Sequence, residues 1–347
     1  MQLHNKVNRE ELKEAMEASQ EARQTISFYQ YANLEDPQSE RDILYAAWNE
    51  LGVMGRIYIA QEGINAQISV PTQSLEAFQQ HINSTPWLEG VRLNYAVDDD
   101  GKSFYKLKFK VRPKILADGL NDETFDVTNK GKHLSAKEFN TLTAQDDTVL
   151  VDMRNHYETE VGHFEGAICP DVDTFRDSLP IVQDILEEHK EKHIVMYCTG
   201  GIRCEKASAY FKHKGFEKVY QLEGGIIKYA REVEAAGLEN KFKGKNFVFD
   251  ERLGERISDD IIAHCHQCGN PCDTHVNCQN ETCNLLFIQC AECAQKYENC
   301  CSEDCLEFNR LPEEERILAR KGKDSGIRIF SKGRFRKSTQ PIDPTHS

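Results

Sequence analysis

Thirteen cysteines are spread unevenly along this chain, and the one at position 198 has neighbours that can make a thiol reactive. Cys198-Thr199-Gly200-Gly201-Ile202-Arg203 follows a short apolar run at 194–197 and leads into a helix-like segment from about residue 204. An apolar run bounded by glycine reads as an interior strand of a parallel sheet, covered on both faces. Gly200 and Gly201 let the backbone turn so that successive N–H groups face inward, an anion-binding nest at a helix N-terminus. Cys198 lies at the mouth of that nest. The helix dipole, the N–H donors and the Arg203 guanidinium all favour a thiolate, so a depressed thiol pKa is expected. Cys198 is therefore the candidate catalytic residue. Thr199, Gly200, Gly201, Ile202 and Arg203 form its anion- and substrate-binding loop.

Only four residues separate this cysteine from its arginine, fewer than in cysteine phosphatases, so the cradle suits a sulfur species or another compact anion. Flanking motifs fall in a definite order. Upstream are Val149-Leu150-Val151-Asp152-Met153-Arg154, Glu158 and Gly162-His163-Phe164-Glu165-Gly166-Ala167; downstream are Gly215-Phe216 and Leu222-Glu223-Gly224-Gly225-Ile226. Over residues 149–229 this order resembles rhodanese domains. The resemblance implies an α/β sheet with the site at the carboxyl ends of its strands. Asp152 and Arg154 end one strand and are expected to brace the active-site loop by ion pairing. His163 reads as a structural histidine. Cys204 either resolves an oxidised Cys198 as a disulfide or is an ordinary buried thiol of a first helical turn, the plainer reading. Cys169 lies outside every motif.

Ten further cysteines crowd into residues 265–305. Cys265/Cys268 and Cys290/Cys293 are C-x-x-C knuckles, and Cys278/Cys283 with Cys300/Cys305 are two looser pairs. Four thiolates make a closed tetrahedral zinc site, and so short a segment does not build a core unaided. The spacing predicts two cross-braced structural zinc sites, knuckle with knuckle and loose pair with loose pair. Cys272, Cys301, His264, His266 and His275 are substitute ligands, and an iron–sulfur cluster is the alternative.

The elements that hold these residues follow from patterning. A chain of 347 residues suggests two or three domains. The first twenty residues are charged and helix-like rather than a secretory leader, and no apolar run is long enough to span a membrane. A cytoplasmic location follows, where cysteines are catalytic or metal-bound. Helix to about residue 24, then strand, helix, two strands, helix and strand give the order β-α-β-β-α-β, a split βαβ or ferredoxin-like domain over residues 1–114. Residues 115–133 read as a connector, 134–237 as the rhodanese unit, 238–310 as the Cys-rich region and 311–347 as a basic flexible tail.

The formal charge of −14 argues against a polyanion partner on average, but two stretches depart from the average. Nine basic residues lie between Arg316 and Lys337. Lys106, Lys108, Lys110, Arg112 and Lys114 alternate with Tyr105, Leu107, Phe109 and Val111, which puts the cations on one face of a strand. That face is either a solvated, edge-protecting one or a row of contacts to phosphates.

Taken whole, the chain resembles the bacterial tRNA uridine hydroxylase family of rhodanese-domain proteins. The resemblance takes in Ile26-Ser27-Phe28-Tyr29, Glu62-Gly63-Ile64-Asn65-Ala66-Gln67-Ile68-Ser69-Val70-Pro71 and Gly244-Lys245-Asn246-Phe247-Val248-Phe249-Asp250-Glu251-Arg252. It implies oxygen-dependent 5-hydroxylation of the wobble uridine, tRNA as partner, molecular oxygen as co-substrate and Cys198 as the active-site thiolate. The electron donor is not written in the sequence. There is no dinucleotide glycine fingerprint and no two-His-one-carboxylate set. The residues alone leave sulfur transfer through a Cys198 persulfide open.

Overall fold

The computed structural model describes residues 9–320. Its amino-terminal unit runs through α1 (Arg9–Ala18), β1 (Arg23–Tyr31), α2 (Pro37–Glu50), β2 (Met54–Ala60), β3 (Gly63–Pro71), α3 (Leu75–Ser84), β4 (Asn94–Tyr95) and β5 (Leu107–Val111). The strands lie in the order β4-β1-β3-β2-β5. The first four are antiparallel neighbours in the split βαβ order, and β5 adds on parallel to β2. The expected first helix is shorter than its pattern, ending at Ala18, because Arg23 and Gln24 already pair with Pro71 and Val70 in the sheet.

Local chemistry fixes the helices. Asp36 caps α2 by accepting from the N–H groups of Gln38 and Ser39 at 3.1 Å, with Pro37 in the first turn. Trp48 of α2 meets Phe78 of α3 edge-on at 5.3 Å, over a core of Ile26, Phe28, Ile57, Ile59 and Ile68. Because side chains alternate along a strand, the opposite face carries Tyr29, Arg56, Tyr58, Asn65, Gln67, Lys108 and Lys110. That face looks onto the second unit.

The second unit comprises β6 (Lys132–Leu134), α4 (Ala136–Leu142), β7 (Thr148–Asp152), α5 (His156–Thr159), β8 (Gly162–Phe164), α6 (Phe175–Leu186), β9 (His193–Tyr197), α7 (Ile202–His213), β10 (Val219–Leu222) and α8 (Gly225–Ala236). Four strands form a parallel sheet in the order β6-β10-β9-β7. In β9, Ile194 and Met196 enter one core and Val195 and Tyr197 the other. This is the two-sided burial that an unbroken apolar run predicts.

The third unit grows from the second. β11 (Phe242–Asn246) pairs antiparallel with β8 and with β12 (Glu255–Arg256). A β13 (His275–Asn277) and β14 (Leu286–Ile288) ribbon then leads to α9 (Ala291–Tyr297), α10 (Glu303–Arg310) and α11 (Glu313–Arg320). The stretch expected to be a flexible tail thus begins as a helix. Glu313, Glu314 and Glu315 in its first turn complement the helix dipole. The basic residues from Lys321 to Lys337 lie outside the described residues. Among the described residues, no helix is long and apolar enough to cross a membrane.

Candidate active site

Strand β9 delivers Cys198 to the floor of the site, where it is 1% exposed. Gly201 caps α7 with φ +102° and donates its N–H to Cys198 Sγ at 3.1 Å. A side chain at Gly201 would be strained, and its Cβ would sit 2.9 Å from Tyr29 Oη. On the other side, a Cβ at Gly225 would fall 2.4 Å from the Cys198 carbonyl oxygen. Ile226 N–H donates to that same oxygen at 3.1 Å. The loop is thus clamped between α8 and the amino-terminal sheet.

Arg203 lines the cleft with its guanidinium already engaged. Its guanidinium grips Glu158 at 2.6 and 2.8 Å, both groups being buried, and Thr199 Oγ1 donates to the same carboxylate at 3.4 Å. Burial, the largest influence on Cys198, pushes its pKa up. A hydrogen bond from Cys204, the Arg203 charge and the N–H groups of Arg203 and Gly201 together pull it down to about 6. Burial and the thiolate beside it push the Cys204 thiol far upward, so Cys204 is the donor of the pair.

The ion pair that braces the loop is therefore Arg203–Glu158. Asp152 and Arg154, expected in that role, pair with each other at 2.7 Å, and Arg154 also donates to the Gly162 carbonyl at 2.6 Å. With Met153 N–H bonded to the Tyr197 carbonyl at 2.9 Å, they lock the strand ends one layer below. Glu158 was visible in the sequence, but Asn155-x-x-Glu158 also reads as a capping box. It is one, since Asn155 N–H donates to Glu158 Oε1 at 3.0 Å. His163 bonds the Thr159 carbonyl at 2.9 Å and takes no part in the loop.

Above Cys198 opens a cleft of about 630 Å³. Tyr29, Arg56, Tyr58, Lys108 and Lys110 form its amino-terminal wall, and Phe249, His275 and Phe287 line it from the third unit. Tyr29 donates to Glu205 at 3.1 Å. Although burial opposes it, pairing with His133 at 2.9 Å and Lys130 at 2.7 Å holds Glu205 down to about 2. On the next position of α7, Lys206 binds Glu62 at 2.8 Å, reaches Asp122 and lies over the Tyr31 ring. α7 is thereby fastened to the amino-terminal unit.

Of the expected row of five cations Lys114 leaves the face, while Lys106, Lys110 and Arg112 all bear on Lys108. Lys108 and Lys110 face the cleft, while Lys106 lies by the Tyr105 ring and Arg112 stands exposed beyond the end of β5. Lys114 turns off to Asp118 at 2.8 Å and Asp122 at 3.1 Å, because Pro113 ends the strand alternation. Arg56, unremarkable in sequence, joins the row because β2 sets it in register beside Lys108.

The Cys-rich unit brings together two sets of four thiols, Cys265/Cys268/Cys290/Cys293 and Cys278/Cys283/Cys301/Cys305, each set within 4.8 Å. Either set could bind a metal ion. The interleaving is the cross-brace the spacing predicts, with one correction: Cys301, not Cys300, completes the second set. Positive-φ Glu298 and Asn299 reverse the chain, and Cys301 then sits one turn before Cys305 in the four-thiol set while Cys300 is fully buried beside it. Of the substitute ligands, Cys272 enters the apolar core, His266 pairs with Glu160 at 2.7 Å and His275 packs on Phe247.

Comparison with known proteins follows the same three units. Residues 23–115 match the UPF0176 acylphosphatase like domain, 135–232 the rhodanese-like domain and 243–306 the rhodanase C-terminal family. A tRNA uridine(34) hydroxylase of Photorhabdus laumondii is 58% identical over 335 residues, covering 96% of this chain and 95% of the relative. Enzymes of the same name from an Enterobacter species and from Escherichia fergusonii are 57% and 56% identical over 339 residues, each alignment covering 97% of both chains.

Proposed function

The chain belongs to the tRNA uridine(34) hydroxylase family, and on that premise we propose that it hydroxylates C5 of the wobble uridine of tRNA with molecular oxygen, using Cys198 as nucleophile. The observation that carries this reading is a buried thiol, pulled down to about 6, at the floor of a cleft with a cationic wall. The thiolate adds to C6 of the uracil ring, and the electron pair displaced from the C5–C6 double bond makes C5 nucleophilic toward an oxidant. After oxygen enters at C5, loss of the C5 proton expels the thiolate and restores the double bond. One oxygen atom enters the base. The second leaves as water with two electrons from an external donor and two protons.

With the Arg203 guanidinium held by Glu158, stabilising the developing charge falls to the loop N–H groups, and Arg203 acts on Cys198 through its field. For the two four-thiol sets we assign zinc. Separations of 3.6 Å for Cys268–Cys290 and Cys283–Cys301 are close to the ~3.8 Å edge of a tetrahedron with ~2.3 Å metal–sulfur bonds. All-thiolate sites are closed, so zinc would hold the third unit in shape beside the cleft.

Incubation with unmodified tRNA under heavy-isotope oxygen gas, beside Cys198→Ser, tests the reaction. Label in the uridine, lost in the serine variant, is expected. The six-residue cradle also suits a persulfide, and a mass gain matched by heavy sulfur from a labelled donor, without oxygen label, would instead make the protein a sulfurtransferase.

A further inference from the structure

The polar face of the amino-terminal sheet is charged against the trend of the molecule. In a chain of formal charge −14, Arg56, Lys108 and Lys110 form no ion pair among the described residues. Burial and neighbouring cations, with no carboxylate among the influences, lower the pKa of Lys108 and of Lys110. By contrast, Arg203 in the same cleft, and Lys206 and Lys114 elsewhere in the molecule, are each answered by carboxylates. Arg56 lies in register with Lys108, and Lys110 follows two residues along the same face, a step of about 6.6 Å that suits consecutive phosphates of an extended strand.

Opposite this wall, Cys198 is 1% exposed, and a cleft of about 630 Å³ is of a size for a small organic group, not a duplex. A base reaches such a floor only after leaving its stack. We propose that the acylphosphatase-like domain is a phosphate-binding wall for single-stranded RNA: Arg56, Lys108 and Lys110 take the phosphates flanking the nucleotide whose base is turned down to Cys198. Tyr29 and Tyr58, between the cations and the catalytic loop, offer that nucleotide ring surface. This rests on the reading of the site as a uridine-modifying one, and it deepens that reading by naming what holds the RNA and in which form.

The test is binding, which needs no turnover. The full chain and Arg56→Ala/Lys108→Ala/Lys110→Ala are titrated with an anticodon stem-loop RNA and with its stem as a plain duplex, over a salt series. For the stem-loop, about tenfold or greater weakening is expected, with a log–log salt slope shallower by about 2, three single-strand phosphate contacts at ~0.7 each. The duplex should bind weakly and unchanged. An unaltered melting temperature shows that the variant is folded, and Arg56→Lys should keep most of the affinity. An unchanged slope, or equal losses for stem-loop and duplex, overturns the wall. If the chain binds the stem-loop through this face without oxidising it, the wall stands and the hydroxylase reading fails.

Discussion

Cys198 and the eight clustered thiols of the third unit are the same residue in opposite circumstances. Cys198 is a single thiol whose negative charge is balanced by backbone N–H groups, the Cys204 donor and the field of Arg203. The clustered thiols face one another in sets of four within 4.8 Å, with backbone N–H groups beside them, as Cys290 N–H to Cys265 at 3.4 Å shows. A lone anion surrounded by donors is a nucleophile, while four anions facing each other call for a cation at their centre. Reactivity is thus set by what faces the sulfur, not by the sulfur.

The sharpest way to break this contrast is to substitute one thiol of each kind. Cys198→Ser should lower tRNA hydroxylation by on the order of 10⁶-fold, as removal of a nucleophile does, with tRNA affinity unchanged. Cys301→Ser should release one of two zinc ions, measured as metal per chain, and lower the melting temperature. Cys300→Ser should keep both ions. Loss of an ion from the Cys300 variant, with retention in the Cys301 variant, would reverse the ligand assignment.

A smaller effect is expected at the brace. Glu158→Gln leaves Arg203 buried without a carboxylate, at a cost of about 3–5 kcal/mol in denaturant unfolding. The same change removes a negative charge near Cys198, so thiol alkylation should titrate below the wild-type value. An upward shift would show that loop disorder outweighs the charge. In the intact protein, alkylation of Cys198 should be half-maximal near pH 6, against an ordinary thiol value of 9. Because the folded value is depressed, the thiolate's contribution to stability is complete above pH 9 and is lost as pH falls through 6.

What was legible in the sequence follows from the range of each signal. The cysteine nest was readable because glycine, strand and helix start lie within a few residues. The split βαβ order was readable because period-two and helical patterns are local as well. Glu158 was read only as part of a motif, since a capping-box carboxylate gives no sign of a partner 45 residues away. Arg56 was missed because its place beside Lys108 depends on parallel pairing of β2 with β5, and no local pattern sets that register. Cys300 and Cys301 were indistinguishable by spacing. The left-handed turn at Glu298 and Asn299 decides between them.

The nucleophile itself is open to direct capture with tRNA carrying 5-fluorouridine at position 34. Fluorine replaces the C5 proton whose loss expels the thiolate, so the enzyme should stall as a covalent RNA–protein complex. Peptide mapping should place the RNA on Cys198, with no complex in Cys198→Ser. Intact oxidation of ordinary tRNA with no adduct on Cys198, or an adduct on one of the clustered thiols, would contradict the assignment of Cys198 as the attacking sulfur.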